Sequence, residues 1–300
     1  MDSNFTLILS LAAALTVNIT KKYFTDKNGA LSAGFVFNAV STLVAAAVLL
    51  LWGGFGTASV FTLLMGIAFG AITALQGITS ITALGCGPMS YTSVIISFST
   101  LISALSGVMF FGETLGWAQT VGIILMLASF ALAAERGSET KKANLKWIIL
   151  CLVAFFATGA IGVMQKVHQS SPYKGELNAF LVIAFASSAV ICSLMAVFLR
   201  ARECRIEGNG EREGNGKKAI AAALCLMLVS GACAAANNKF NLYLSGVMES
   251  AVFFPIVNGG GLVLSTLAAV TVFRERLTRK QWIGVAIGII SVVFLCNPFS

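Results

Sequence analysis

The chain has 300 residues, of which 57% are hydrophobic and 11% are charged, whereas soluble domains are about 45–50% apolar and about 25% charged. Membrane helices of about 20 residues each would use most of this length, which excludes a separate soluble catalytic or nucleic-acid-binding domain. The formal net charge is +8. Membrane topology explains this charge, as described below, so nucleic acid is not expected as a partner.

Ten apolar runs follow one another along the chain, and each is long enough for a membrane-spanning helix. They cover residues 5–22, 31–52, 59–84, 89–111, 115–134, 145–166, 177–200, 219–244, 248–273 and 278–297. Three of the turns between runs are very short and contain Gly or Pro. Joining two runs across such a turn would give a helix of about 50 residues, too long for a bilayer of about 30 Å. The sequence therefore predicts an all-α integral membrane protein with ten transmembrane helices.

A weak repeat relates the two halves of the chain at an offset of 162 residues. Residues 111–115 read Phe-Gly-Glu-Thr-Leu, and residues 273–277 read Phe-Arg-Glu-Arg-Leu. The same offset matches further identical pairs, namely Gln119 with Gln281, Gly122 with Gly284, and Ser129 with Ser291. Five runs fall in each half, 1–137 and 138–300, and an odd number makes the two halves enter the membrane in opposite orientations. Inverted five-helix repeats are common in secondary transporters, with the substrate near the midplane.

The basic residues predict how the chain is oriented in the membrane. Of the 20 Lys and Arg residues, 17 lie in or beside the loops that follow odd-numbered runs; the other three are Lys166, Lys174 and Lys239. Because basic loops stay in the cytoplasm, both termini are expected on the extracytoplasmic side of the plasma (inner) membrane, in a multi-pass protein. The N-terminus has no basic n-region typical of a cleaved signal peptide, so the first run is expected to remain as a helix.

The paired motifs resemble those of the drug/metabolite transporter superfamily, and most of all its EamA-type ten-helix members. They read Gly112-Glu113-x-Leu115-x-x-x-Gln119-x-x-Gly122 and Glu275-x-Leu277-x-x-x-Gln281-x-x-Gly284, with Arg274 in the second copy at the position of Gly112. The resemblance extends over the whole chain in span count and loop length. Members of the superfamily carry amino acids, sugars, nucleotide derivatives, metabolites and cationic drugs. The resemblance therefore implies a transporter but no particular substrate.

The motif residues also have a structural interpretation. Glu113 and Glu275 directly precede a helix, where a carboxylate can cap free N–H groups and complement the helix dipole; a direct substrate role is the alternative. Gly122 and Gly284 would let helices approach closely in lipid.

Polar side chains inside the apolar runs are the candidate substrate-binding residues, because hydrocarbon penalises a polar group without a partner. Gln76 and Asn237 occupy nearly equivalent positions in the two halves and are expected to line a central cavity, although each amide could instead bond a neighbouring helix. The candidates are Gln76, Ser97, Asn237, Asn238, Lys239, Asn241, Glu249 and Asn258.

Two features of the eighth and ninth runs lead to specific expectations. Pro255 and the glycines at 259–261 are expected to break the ninth helix near Asn258 and free backbone groups for a ligand; the alternative is a kink that only shapes packing. Lys239 and Glu249 flank the turn between the two runs and could form an ion pair or contact substrate, or Lys239 could extend to the outer interface. The single histidine, His168, is expected at that interface.

These observations predict a secondary-active transporter that moves a small polar metabolite, an amino acid or a drug-like solute by alternating access. A coupling proton or a counter-solute would drive it, because the sequence contains no ATP-binding motif. The expected partners are the lipid bilayer and the solute, with the protein a monomer or homodimer. No catalytic site, metal site, cofactor or disulfide framework is expected. The alternatives are a non-transporting membrane sensor, an assembly subunit or a channel.

Overall fold

The computed structural model describes residues 3–27, 31–86, 92, 95–133, 145–207, 217–272 and 278–295, and all secondary structure among them is helical. A 3₁₀ turn at Lys174–Glu176 precedes α7. The α-helices are α1 (Ser3–Lys27), α2 (Leu31–Gly53), α3 (Val60–Cys86), α4 (Thr100–Phe111), α5 (Trp117–Ala133), α6 (Leu145–Ser170), α7 (Leu177–Glu207), α8 (Lys217–Val247), α9 (Ser250–Thr271) and α10 (Arg279–Leu295).

Within the residues that the structure describes, seven helical segments are long and apolar enough to cross a membrane. They are Ser3–Phe24, Ser32–Gly53, Val60–Ser80, Leu145–Ser170, Lys174–Arg202, Ile220–Val247 and Ser250–Ala268. Two further apolar helices, Ile95–Phe111 and Trp117–Leu132, are shorter. The prediction of an all-helical chain with several membrane-spanning segments is thus confirmed at this level.

Glycine and capping residues set the helix ends near the paired motif. Gly112 has a left-handed backbone with φ of 66° and ends α4, as the short Gly-containing turn in the sequence predicts. The N-terminus of α5 is capped by Gln119, whose Oε1 accepts a hydrogen bond from the Gly116 N–H at 2.9 Å. Gln281 makes the equivalent contact in α10, accepting from the Thr278 N–H at 2.8 Å. Gln119 and Gln281 are each the third residue of their helix, and each side chain bonds the backbone of the residue that precedes the helix.

The ninth apolar run forms one continuous helix, so the predicted break at Pro255 is wrong. α9 runs from Ser250 to Thr271 with Pro255 inside it. Gly259 serves packing, because a Cβ at this position would lie 2.9 Å from the Met126 Cγ. Pro255 is itself buried. Packing against neighbouring helices therefore outweighs the weak helix propensity of this segment.

Contacts divide the chain into two compact units, each of which draws segments from both halves of the sequence. Unit 1 comprises Met1–Leu11, Leu75–Ser171 and Asn241–Ser300, and unit 2 comprises Ala12–Ala74 and Pro172–Phe240. The predicted boundary between repeats at 137 and 138 lies outside the described residues, and the two sequence repeats stay a prediction.

Unit 1 has an apolar core formed mainly by α5 and α9, including Met126, Phe130, Phe253, Phe254 and Ile256.

Within unit 1, α5 and α10 make two reciprocal contacts. The Ser129 hydroxyl donates to the Gly284 carbonyl oxygen at 2.7 Å, and the Ser291 hydroxyl donates to the Gly122 carbonyl oxygen at 2.7 Å. Ser129 and Ser291 are matched residues of the sequence repeat, and so are Gly122 and Gly284. Each hydrogen bond therefore joins the serine of one half to the glycine of the other half. Gly122 also permits the close approach expected of it, because a Cβ there would lie 2.7 Å from the Leu295 Cγ.

In unit 2, small residues allow α7 and α8 to pack closely on other helices. A Cβ at Gly66 of α3 would lie 3.0 Å from side-chain atoms of Ile183 in α7. A Cβ at Gly231 of α8 would lie 2.6 Å from the Val44 Cβ in α2. The Ser41 hydroxyl of α2 donates to the Met227 carbonyl oxygen of α8 at 3.4 Å.

Candidate functional site

A buried ion pair between Glu113 and Lys166 is the centre of a polar cluster in unit 1. The Lys166 Nζ lies 2.6 Å from the Glu113 Oε1, and each side chain is only 10% exposed. Lys166 also donates to the Met248 carbonyl oxygen at 3.0 Å. The ammonium therefore has both a carboxylate and a carbonyl oxygen as partners, on segments far apart in sequence.

Glu113 caps a helix, but a different one from the helix that the sequence predicts. Its Oε2 accepts from the Ser250 N–H at 2.7 Å, and its Oε1 accepts from the Ser250 hydroxyl at 3.2 Å. Ser250 begins α9, whereas Gln119 caps the helix that follows Glu113 in sequence. Gly107 leaves room for the carboxylate, since a Cβ there would lie 2.7 Å from the Glu113 Cδ. The equivalent residue Glu275 lies outside the described residues.

Glu249 directly precedes Ser250, the residue that Glu113 caps, and its own side-chain contact is with Gln119. The Gln119 Nε2 donates to the Glu249 Oε2 at 2.9 Å, although Glu249 as a whole is exposed. Gln119 thus links the cap of α5 to the turn between α8 and α9.

Sequence reasoning did not identify Lys166 as a site residue. Both Lys166 and His168 lie near the end of α6 and are buried, at 8% and 0% exposure, and the position of His168 at the outer interface stays a prediction. The His168 Nδ1 lies 3.3 Å from the Gln169 Nε2. The sequence contained a usable signal, because an alternation of ten spans would predict residues 113, 166 and 248 on the same side of the membrane.

Lys239 lies in unit 2, where its partners are neutral. Its Nζ donates to the Asn178 Oδ1 at 3.3 Å and lies 4.4 Å from the centre of the Trp52 ring. Lys239 and Glu249 belong to different units and each has partners within its own. Their pairing stays a prediction.

The predicted polar residues of unit 1 have varied surroundings. Gln76 donates to the Ser80 hydroxyl on the next turn of α3 at 3.1 Å, as expected for two residues on one helical face. The Asn241 Oδ1 accepts from the Ser10 hydroxyl at 2.5 Å. Ser97 is half-buried and Asn258 is exposed on α9.

In unit 2, Asn237 and Asn238 are both half-buried on α8. The Asn238 Nδ2 donates to the Ala234 carbonyl oxygen of its own helix at 3.0 Å. Because Gln76 and Asn258 belong to unit 1 and Asn237 to unit 2, a cavity shared by these three residues stays a prediction.

The titratable side chains offer little for a metal ion. Within the described part of the chain, no group of three or more His, Cys, Asp or Glu residues is placed to hold one. Glu113, Lys166 and Ser250 are instead joined by an ion pair and hydrogen bonds. Their chemistry is that of fixing helix ends and binding polar groups.

Comparisons with known proteins give a fold but no activity. No family model matches the chain. An uncharacterized protein of Haemophilus influenzae (strain ATCC 51907 / DSM 11121 / KW20 / Rd) is 22% identical over 204 residues, covering 66% of this chain and 62% of that protein. The match thus spans less than two thirds of this relative. A solved structure described as "Crystal structure of protein" has a TM-score of 0.73, with 14% identity, over 98% of this chain and 96% of its own.

Proposed function

We propose that this chain is a secondary-active transporter of a small polar metabolite, an amino acid or a drug-like solute, built from two inverted five-helix repeats. The reciprocal contacts of α5 and α10 carry the proposal. Ser129 bonds the carbonyl of Gly284, and Ser291 bonds the carbonyl of Gly122. A pseudo-two-fold axis between two repeats predicts that each repeat makes the same contact with the other, as these two serine–glycine hydrogen bonds do. Such repeats are common in secondary transporters, as in the drug/metabolite transporter superfamily that the motifs resemble.

Contacts between loops support the count of ten spans. In unit 1, Glu113 follows α4, Lys166 is near the end of α6, and Met248 lies between α8 and α9. In unit 2, Glu176 precedes α7 and accepts from the Ser59 N–H, between α2 and α3, at 2.9 Å. Within each unit, the loops that follow even-numbered helices thus meet one another, as alternating spans require.

The distribution of basic residues supports an extracytoplasmic position for these loops and for both termini. Single cysteines introduced within residues 206–216, in a background without native cysteines, would test this orientation with an impermeant thiol reagent. We expect labelling only after the membrane is opened. Labelling in intact cells would reverse the proposed topology.

The solute site in this proposal is formed by polar residues in or directly beside the spans. They are Gln76, Ser97, Asn237, Asn238, Lys239, Asn241, Glu249 and Asn258. Neutral amides and a hydroxyl suit a polar solute that is recognised by hydrogen bonds. The repeats would rock about this site to expose it alternately to each side, driven by a proton or counter-solute gradient.

A binding screen followed by transport assays tests the proposal. The purified protein would be heated with a library of amino acids, metabolites and cationic drugs, since a ligand of the folded state raises stability. Compounds that bind would then be assayed for uptake into proteoliposomes. Saturable, gradient-driven uptake is expected; binding without flux would indicate a sensor or assembly subunit, and non-saturable flux a channel.

Variants of the three central amides test the site. Gln76→Met, Asn237→Leu and Asn258→Leu should each weaken solute binding by about 1–3 kcal/mol, because a polar group of the ligand loses its partner. Thr120→Val is a control, since this exposed hydroxyl donates to the Gly116 carbonyl oxygen just before its own helix. Normal transport by all three amide variants would mean that the amides join helices and the solute binds elsewhere.

A further inference from the structure

Lys239 is a cation within an apolar helix, and the partners described for it in unit 2 are neutral groups. It lies inside the candidate span Ile220–Val247. Its ammonium contacts the Asn178 Oδ1 at 3.3 Å and the face of Trp52 at 4.4 Å. Among the described residues of unit 2, no carboxylate lies within ion-pair distance of it. An ammonium has three N–H donors, so Lys239 retains the capacity to bind an acceptor.

The groups that surround Lys239 are held in place by the ends of two helices. Asn178 is the second residue of α7, and its Nδ2 donates to the Leu49 carbonyl oxygen at 2.9 Å and to the Gly54 carbonyl oxygen. Both amide hydrogens are thereby used, which fixes the Oδ1 toward Lys239. Trp52 is in the last turn of α2, next to the same carbonyls. The ammonium, half-buried on α8, is thus positioned by side chains at the ends of α2 and α7.

These side chains stabilise a cation less than a carboxylate would. An amide oxygen and an indole face carry only partial negative charge, and hydrogen bonds between two ionised groups are stronger than those to neutral acceptors. An ionisable residue within a membrane span is costly unless it has a partner, and it usually marks a functional site. Lys239 therefore gains most from an anion that arrives with the solute.

The surroundings also indicate which anion fits. Trp52 and Phe240 meet edge to face at 5.9 Å between ring centres, which provides an apolar wall beside the ammonium. An ammonium lacks the planar fork with which an Arg binds a phosphate through two hydrogen bonds, so a site centred on Lys239 suits a single carboxylate better than a phosphate.

We propose that Lys239, held by Asn178 and Trp52, binds the carboxylate of the transported solute, which is a monocarboxylate or an amino acid. This inference rests on the proposed transport function and narrows its substrate class. No covalent step is involved, because the solute is bound and released unchanged.

Paired probes that differ only in the carboxylate test this proposal. Leucine is compared with leucinamide, and lactate with lactamide, by thermal unfolding and by titration calorimetry of the purified full-length protein. We expect at least one carboxylate to raise the unfolding temperature and its amide to have little effect. Equal effects of acid and amide would overturn the proposal without any variant.

Variants then assign the effect to Lys239. Lys239→Met should weaken binding of the carboxylate about tenfold or more, because a charge-assisted hydrogen bond is lost. Lys239→Arg should retain part of the affinity, and Lys174→Met is the control, since Lys174 is an exposed lysine of the same unit. Wild-type affinity in Lys239→Met would overturn the assignment.

Two further results separate this inference from the transport function. A solute that wild type and Lys239→Met transport alike would support transport and overturn the role of Lys239. Stabilisation of wild type by phosphatidylglycerol vesicles alone, lost in Lys239→Met, would make the lysine a lipid contact and overturn the inference. If no compound of the broad library is bound or carried, the transport function fails, and the inference fails with it.

Discussion

The buried pair of Glu113 and Lys166 should contribute to stability as one coupled unit. Each side chain is only 10% exposed, so water screens the pair weakly and removal of one charge leaves the other poorly solvated. Breaking a buried pair costs about 3–5 kcal/mol, whereas replacing both partners together is often close to neutral. The double variant Glu113→Gln/Lys166→Met should therefore be more stable than at least one of the single variants.

The two single variants should also differ, because the remaining charge keeps different partners. Lys166→Met leaves the Glu113 carboxylate bonded to the N–H and hydroxyl of Ser250, so we expect a loss of about 2–3 kcal/mol. Glu113→Gln leaves the Lys166 ammonium with the Met248 carbonyl oxygen and removes the negative charge at the start of α9. We expect about 3–5 kcal/mol for this variant.

Equilibrium unfolding of the purified protein by sodium dodecyl sulfate in mixed micelles would measure all four proteins of this double-mutant cycle. Lys280→Met is the matched control, because Lys280 is an exposed lysine of the same unit. A strongly non-additive cycle is expected. If the double variant loses the sum of the two single losses, the reasoning from a desolvated pair is wrong.

Two further predictions concern helix packing in unit 1. Ser129→Ala and Ser291→Ala should each cost about 1 kcal/mol in the same unfolding assay, and similar losses are expected because the two hydroxyls make equivalent bonds; a loss confined to one variant would argue against their equivalence. Gly259→Ala should destabilise by about 1–3 kcal/mol through overpacking against Met126, whereas Gly261→Ala, with open space around it, should be neutral or stabilise by up to about 1 kcal/mol; the reverse order would refute the packing role of Gly259.

Local signals in the sequence were sufficient for the helices and several of their ends. Long apolar runs predict the membrane-spanning segments, and Gly112 marks the end of α4 because its left-handed backbone suits glycine. The prediction for α9 was wrong because Pro255 and the glycines were judged by their local propensity. In the structure, Gly259 accommodates Met126 of α5, a contact over a long sequence distance that no local pattern records.

The same limit applies to the candidate site. The sequence indicated that Glu113 caps a helix, yet the identity of that helix depends on a contact 137 residues away, with Ser250. Lys166 was overlooked for the same reason, since its partner Glu113 lies in the turn after α4, far away in the sequence. Lys239 was recognised because a lysine well inside an apolar run is unusual in the sequence itself. Its surroundings of Asn178 and Trp52 required the structure.

Lys166 is buried and Lys239 is half-buried, and the two lysines differ in the groups that meet the ammonium. Lys166 is bonded to the Glu113 carboxylate at 2.6 Å, so an incoming anion would have to displace an internal one that also caps α9. Lys239 contacts an amide oxygen and an indole ring, and an anion could bind it without breaking an ion pair within unit 2. Anion binding is favoured where the protein's own groups leave a positive charge uncompensated. We therefore expect a solute carboxylate to bind Lys239, whereas Lys166 stabilises the helix ends.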